Sequence, residues 1–363
     1  MRELSLRTLN RTLLLRQRLT ERVSMPAADL IRQLIAVQGQ DANWPYIGLW
    51  TRLTDFRNEQ LSELIEQRSV VRATMIRRTV HLAHADDYRW LYPTVRPDSA
   101  AAFNTAWFRD DLAGLDAAEL ATAGKELLSG RTLPRRELGR ALADRFPHRD
   151  TAKLVHALGH LHPLVHDSAA GAWGAWRGRS VAVSLAEDWL AAPLSPGPQA
   201  ETMVLRYLAA FGPATVADIQ AWSGTTRLAP VVERLRPDLR TYRDDSGREL
   251  FDVPDAPIAD PDLPVPVRFL PAFDNALLAH KDRRRAISDE DRARIAKIAS
   301  GGVPMYLVDG FVHGRWDLDG EDIRVTPWHP LSRADEKAVR AEAEQLLPAI
   351  TPNSEGRVII ESR

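Results

Sequence analysis

The chain contains no cysteine, which excludes disulfide bonds and thiolate metal sites and fits a reducing cytoplasm. Also missing is any apolar run long enough to span a bilayer, and Met1-Arg2-Glu3-Leu4-Ser5 lacks the apolar core of a secretory signal. The expectation is a cytoplasmic protein with no membrane contact. No glycine-rich loop ends in the lysine that cradles phosphates, and no carboxylate cluster has metal-site spacing, which removes helicase-like and nuclease-like chemistry. His81 and His84 do lie near Asp86 and Asp87. At that irregular spacing they read as a strand running into a helix capped by Asp86, so neither metal nor cofactor is expected. The formal net charge is only −1, which argues against a uniformly basic nucleic-acid coat.

What is present is ample material for a core. At 363 residues and 44% hydrophobic content, the chain reads as a globular protein of several domains. Its charges are unevenly distributed. Arg2, Arg7, Arg11, Arg16, Arg18 and Arg22 face only Glu3 and Glu21. A second basic zone runs from Arg131 through Arg135, Arg136 and Arg140 to Lys153, and a third from Lys281 to Arg285. Solvated helix faces look alike, but three zones with few carboxylates point to phosphate contacts.

The order of elements repeats. Residues 4–40 read as two helices broken near Ser24-Met25-Pro26, with Ser24 as an N-cap. Thr132-Leu133-Pro134-Arg135-Arg136-Glu137-Leu138 and Thr215-Val216-Ala217-Asp218-Ile219 follow the same plan: a capping residue, a short helix, and an acid before an aliphatic. Three such units are the pattern of helix-turn-helix modules. Leu239 to Val253, turning at Asp244-Asp245-Ser246-Gly247, is a hairpin signal, and Leu164 to Trp176 offers a weaker one. Prolines mark breaks at 193–198 and 254–266. Beyond them, Val267–Leu270, Met305–Val308, Phe311–Trp316 and 321–325 read as strands, with Asp309-Gly310 the strongest two-residue turn. A helix over 333–347 and a strand at Val358-Ile359-Ile360 close the chain. The fold class expected is α+β, mainly α, divided into units over 1–115, 116–195 and 196–260 with a C-terminal segment over 261–363.

Gln38-Gly39-Gln40 closes the apolar run Leu30 to Val37, whose spacing predicts a helix ending there, with Gly39 as its cap. Paired amides at such an end serve neither solubility nor packing. Each carries an acceptor oxygen and two donor hydrogens, which suits fixing a water or a base edge. Asp41 is the other candidate for activating a water. Trp44 and Trp50 are expected in the core, and Asp274 and Asn275 in a packing or turn role.

Taken with Tyr46-Ile47-Gly48-Leu49-Trp50, Ile76-Arg77-Arg78-Thr79-Val80-His81-Leu82, Leu270-Pro271-Ala272-Phe273-Asp274-Asn275, His280-Lys281-Asp282-Arg283 and Val308 to Trp316, the motif resembles the tandem winged-helix DNA glycosylases. These bacterial enzymes excise bulky alkylated purines or unhook crosslinks, and are known as self-resistance factors in producers of DNA-alkylating antibiotics. The resemblance implies three winged-helix units about a concave DNA-binding surface and a monofunctional glycosylase without cofactor. Its partner would be alkylated or crosslinked duplex DNA, met as a monomer. It implies that Gln38 and Gln40 are catalytic. Arg77, Arg78 and His81 would face the DNA backbone, Lys281 and Arg283 would meet phosphate, and the Asp309-Gly310 hairpin would bring His313 and Arg315 into a groove. Two residues depart from the family pattern: Gly39 is smaller than the usual middle residue, and Arg78 stands where a glycine is expected. Both bear on substrate fit. The alternative is a non-catalytic winged-helix transcriptional regulator, which would need neither the paired amides nor three units in one chain.

Overall fold

The computed structural model describes residues 2–96, 108, 114–174, 181–298, 302–352 and 355–361. Helices and strands are mixed along the chain, which divides into two units. The first comprises Met1–Gln38, Trp44–Leu61 and Ala200–Arg363, and the second Gly39–Asn43 and Ser62–Gln199. Among the described residues no helix is long and apolar enough to cross a membrane.

In the first unit, Ser5 caps helix Leu6–Arg16 by accepting from the Thr8 N–H, and Leu9, Leu13 and Leu14 line its buried face. Helices Ala200–Phe211, Val216–Ser223 and Ala229–Leu235 precede the hairpin Arg240–Asp244 and Glu249–Asp252. Thr215 and Asp218 form a reciprocal capping box, so the capping pattern legible in the sequence has its expected physical basis there. Ala214 bridges Phe251, joining the residue before the capped helix to the hairpin's return strand. A second sheet runs in the order Arg268–Leu270, Met305–Val308, Phe311–Asp319, Asp322–Pro327, Val358–Ile360. Its tight turn falls at Asp309-Gly310, with φ of 48° and 79°, the double left-handed geometry that favours Asp-Gly. A Cβ on Gly310 would strike Leu14 and Arg11.

The second unit repeats a similar order: helix Ala117–Leu128, strand Leu133–Pro134, helices Arg135–Arg145 and Thr151–Leu161, then strands Leu164–His166 and Ala182–Leu185. Leu133 pairs with Val183, so here too the segment before the second helix joins the last strand. Strands Val80–His84 and Val70–Thr74 extend this sheet, Ala73 pairing with Val165. Leu120, Leu138, Leu142, Leu154 and Leu158 fill the core beneath it. Of the segment expected to form the second hairpin, Ala175 and Trp176 lie outside the described residues.

Several local expectations are corrected. Helix Ala27–Gln33 stops short of Val37, because Ile35 takes a left-handed φ of 67° and Val37–Gln38 is a short strand. Burial of Ile35, Ala36 and Val37 produces the same apolar run in either conformation, which periodicity over so few residues cannot separate. Pro26, not Ser24, holds the N-cap position of that helix. Pro134 holds that of Arg135–Arg145, while the Thr132 hydroxyl bonds Ser184 instead. His84 rather than Asp86 caps helix Ala85–Val95, its ring accepting from the Asp86 N–H. Four arginines of the first basic zone are held by carboxylates. Arg16 pairs with Asp252 at 2.7 Å, Arg22 with Glu342 at 2.7 Å, and Arg7 and Arg11 both with Asp309. A buried guanidinium needs such acceptors.

Candidate functional site

Gln38 ends the strand Val37–Gln38 in the first unit and is only 5% exposed. Gln40 is exposed and belongs to the second unit. The Gly39 N–H donates to Val80 O at 2.9 Å, and the Val80 N–H donates to Oε1 of Gln40 at 3.1 Å. That contact identifies which end of the Gln40 amide is oxygen and occupies one of its two lone pairs. Arg72, buried on strand Val70–Thr74, holds the same stretch by donating to Gly39 O at 3.2 and 2.9 Å and to Gln40 O at 3.4 Å. The motif backbone is therefore held by strand Val80–His84 and by a guanidinium fork. Asp41 Oδ1 accepts from Asn43 N at 2.9 Å and Asn43 Nδ2 at 3.0 Å, the local turn role common for an aspartate.

His166 lies beyond Arg72. Arg72 Nη1 approaches His166 Nδ1 at 2.6 Å, and Arg135 Nη2 approaches His166 Nε2 at 3.0 Å. Burial, with Arg72 and Arg135 alongside, holds the imidazole well below its ordinary pKa and therefore neutral. A neutral imidazole has one acceptor nitrogen, so it cannot accept from both guanidiniums. One of the two contacts therefore sets a guanidinium donor against a ring N–H. Burial and then the nearby Arg135 lower the Arg72 guanidinium to about 10.

The turn Ile76–Arg78 connects strands Val70–Thr74 and Val80–His84, with Arg77 and Arg78 both left-handed at φ 50° and 60°. Non-glycine residues in this region cost on the order of 1 kcal/mol each, strain of a kind found at functional sites. Arg78 opens onto a cavity of about 610 Å³ whose wall also includes Gln40, Arg135, Arg136, His160 and His166. Its floor is apolar, formed by Met75, Val80, Val95, Val155 and Leu164. No carboxylate lies among the described residues lining it. Burial first, and Arg78 next, lower His160 to about 4, so its ring is neutral near pH 7.

The remaining candidates are scattered. His81 is fully buried, its Nδ1 is 2.9 Å from Thr79 O, and burial drives its pKa down to about 3. No surface of this ring is left for a phosphate. Lys281 is exposed and Arg283 half-buried in the first unit, and neither forms an ion pair with any described residue. His313 stands 6.1 Å from the Tyr306 ring and 5.6 Å from His329. Arg315 comes within 4.0 Å of Asp317. Asp274 has the structural role expected of it, gripping buried Arg52 at 2.8 and 2.9 Å, while Asn275 donates to Ala36 O at 2.6 Å. Trp44 packs edge-on against Trp316. Neither Arg72 nor His166 belongs to a recognisable motif. The usable signal is an arginine flanked by Val70, Val71 and Ala73 on a strand, a position that demands an internal acceptor. Among the described residues no group of three or more metal-ligating side chains is gathered.

A family model described as "DNA glycosylase AlkZ-like" matches residues 31–349. A curated relative from Streptomyces sahachiroi, the "Interstrand DNA cross-link repair glycosylase", is 25% identical over 355 residues, covering 92% of this chain and 93% of that one. The solved structure of Streptomyces sahachiroi DNA glycosylase AlkZ superimposes with a TM-score of 0.81 at 22% identity, over 99% of this chain and 100% of the other. That likeness speaks for the fold, and the family match for the enzyme rather than the regulator. The chain thus belongs to the AlkZ-like DNA glycosylase family, hydrolases of N-glycosyl bonds.

Proposed function

We propose that the substrates are bulky or cationic N-alkylpurines in duplex DNA, N7-alkylguanine above all and crosslinked purines by extension, with Gln40 positioning the attacking water and Gln38 supporting it. The observation that carries this reading is the fixing of Gln40: Val80 N–H orients its oxygen while Arg72 holds its backbone. N7-alkylation places a positive charge on the purine, so the C1′–N9 bond breaks with its electron pair moving to the base, which departs neutral. The sugar develops oxocarbenium character, water adds at C1′, and the proton leaves to solvent. No strong acid is required. The protein has to preorganise a water and lone pairs near the developing cation, work within reach of an amide that is a poor base. Asp41 is the weaker candidate for this task because its carboxylate is already engaged by Asn43.

The finer fold reading is three tandem winged-helix units, over 1–115, 116–195 and 196–260, followed by the segment 261–363. It is supported by the repeated order of helix, strand or bridge, two helices and a hairpin in Ala117–Leu185 and Ala200–Asp252. Lys281 and Arg283 would contact phosphate, with Arg77 and Arg78 nearer the lesion and His313 and Arg315 contributing from the C-terminal hairpin. His81 would serve instead as packing under the turn. The enzyme would act as a cytoplasmic monomer. The test is release of base from a duplex carrying one N7-methylguanine, under single-turnover conditions. Release that depends on Gln40 supports the reading, and intact DNA after prolonged incubation with folded protein contradicts it.

A further inference from the structure

The cavity in the second unit is far larger than the sugar chemistry requires, and its charge is the wrong sign for a cationic base. Arg78, Arg96, Arg135 and Arg136 line it without any carboxylate among the described lining residues. Arg96 is satisfied by the carbonyls of His160 and Leu161. The side chains of Arg78 and Arg136 make no hydrogen bond or ion pair with a described residue. His166 offers one acceptor nitrogen to the two guanidiniums of Arg72 and Arg135, 2.6 and 3.0 Å away, a mismatch that an added acceptor beside Arg135 would relieve. Met75, Val155 and Leu164 line the same cavity, an apolar surface suited to a ring. A backbone phosphate has no apolar body to cover that floor, and it occupies a small fraction of about 610 Å³.

We propose that this cavity receives an anionic, acceptor-bearing aromatic substituent carried on the alkylated purine, with Arg78, Arg135 and Arg136 meeting its anion and the apolar floor its ring. The cationic purine itself stays outside. The inference rests on the glycosylase reading, since it assigns that enzyme's substrate class. It also gives a role to Arg78, which lines the cavity from a strained turn.

Two measurements test it. The first compares single-turnover excision of N7-(4-carboxybenzyl)guanine and N7-benzylguanine from the same duplex. The carboxylate should be favoured about tenfold, as expected for a charge-assisted hydrogen bond, and Arg136→Gln should bring that ratio close to one. The second is calorimetric binding of the two free bases to the protein without DNA, where the same preference should appear. No excision of either duplex with a preserved free-base preference would remove the glycosylase reading and keep the cavity assignment. Equal affinity of the two free bases would overturn the assignment. So would an unchanged excision ratio in Arg136→Gln accompanied by a flatter salt dependence on undamaged duplex, because the anion would then be a DNA phosphate.

Discussion

In the first unit Arg16 lies against Asp252 and Arg52 against Asp274, both pairs almost sealed from solvent, while Arg268 and Arg22 share Glu342. In the second unit Arg72 meets backbone carbonyls and an imidazole, Arg135 meets the other side of that imidazole, and Arg78 and Arg136 face a cavity. The first arrangement closes positive charge inside the protein, where it fastens distant segments such as helix Leu6–Arg16 to strand Glu249–Asp252. The second leaves positive charge available beside the exposed Gln40. Counting arginines along the chain ranks the N-terminal zone first for DNA binding, yet the partners of Arg7, Arg11, Arg16 and Arg22 show those four to be structural. Charge becomes a binding signal only after the internal acceptors have been subtracted. Lys281 and Arg283 are among the cations of the first unit that survive this subtraction.

The comparison can be broken most severely at a closed pair. Asp274→Ala should strand the Arg52 guanidinium in the interior and cost about 3–5 kcal/mol in denaturant-induced unfolding. A loss of excision with stability unchanged would mean that the first unit's pairs serve the site instead. The open arginines should behave in the opposite way. Arg72→Lys retains the charge but not the fork that grips Gly39 O, so excision should slow about tenfold with DNA affinity nearly intact, since misplacing a catalytic group costs rate. Arg52→Lys should lower stability without this selective loss of rate. A smaller effect comes from the histidines that burial keeps neutral. His160 is lowered to about 4 and His81 to about 3. A histidine whose folded pKa lies below its unfolded value contributes fully above about pH 6.5, and that contribution is lost as pH falls toward the folded value. Melting temperature should therefore decline from pH 6.5 to 4, and His160→Gln should flatten the decline. The smallest effect is expected at two open cations of the first unit. Lys281→Ala with Arg283→Ala should weaken binding to all duplexes alike and flatten the salt slope by up to about 0.9 for each phosphate no longer neutralised.

Local chemistry makes much of this fold legible in the sequence. Asp309-Gly310 requires two left-handed residues, and Thr215 with Asp218 is a self-contained cap, so both features appear where neighbouring residues alone dictate them. The final helix and the strands around Phe311 likewise match their apolar spacing, with Arg333–Ile350 running slightly beyond the expected end. What escapes depends on distant partners. Nothing adjacent to Ile35 announces a left-handed break, and nothing adjacent to Arg16 announces Asp252, 236 residues away. At the candidate site, Gln38-Gly39-Gln40 stands out in the sequence as two amides one residue apart. Arg72 and His166, which hold and border that stretch, look like ordinary strand residues. Arg135 and Arg136 are visible as members of a basic zone, but only the cavity distinguishes them from Arg140 and Arg145.

The most direct measurement of the central claim is single-turnover release of N7-methylguanine from duplex DNA by Gln40→Ala, alongside its DNA affinity and its unfolding curve. Removal of one preorganised contact at the transition state should lower the rate on the order of 10²-fold, while affinity and stability stay close to those of the unsubstituted protein. Gln38→Ala should also slow release, and the double variant should lose less than the product of the two, as residues acting together do. Unchanged release by folded Gln40→Ala, with Asp41→Asn abolishing it, would contradict the account and move the water to Asp41.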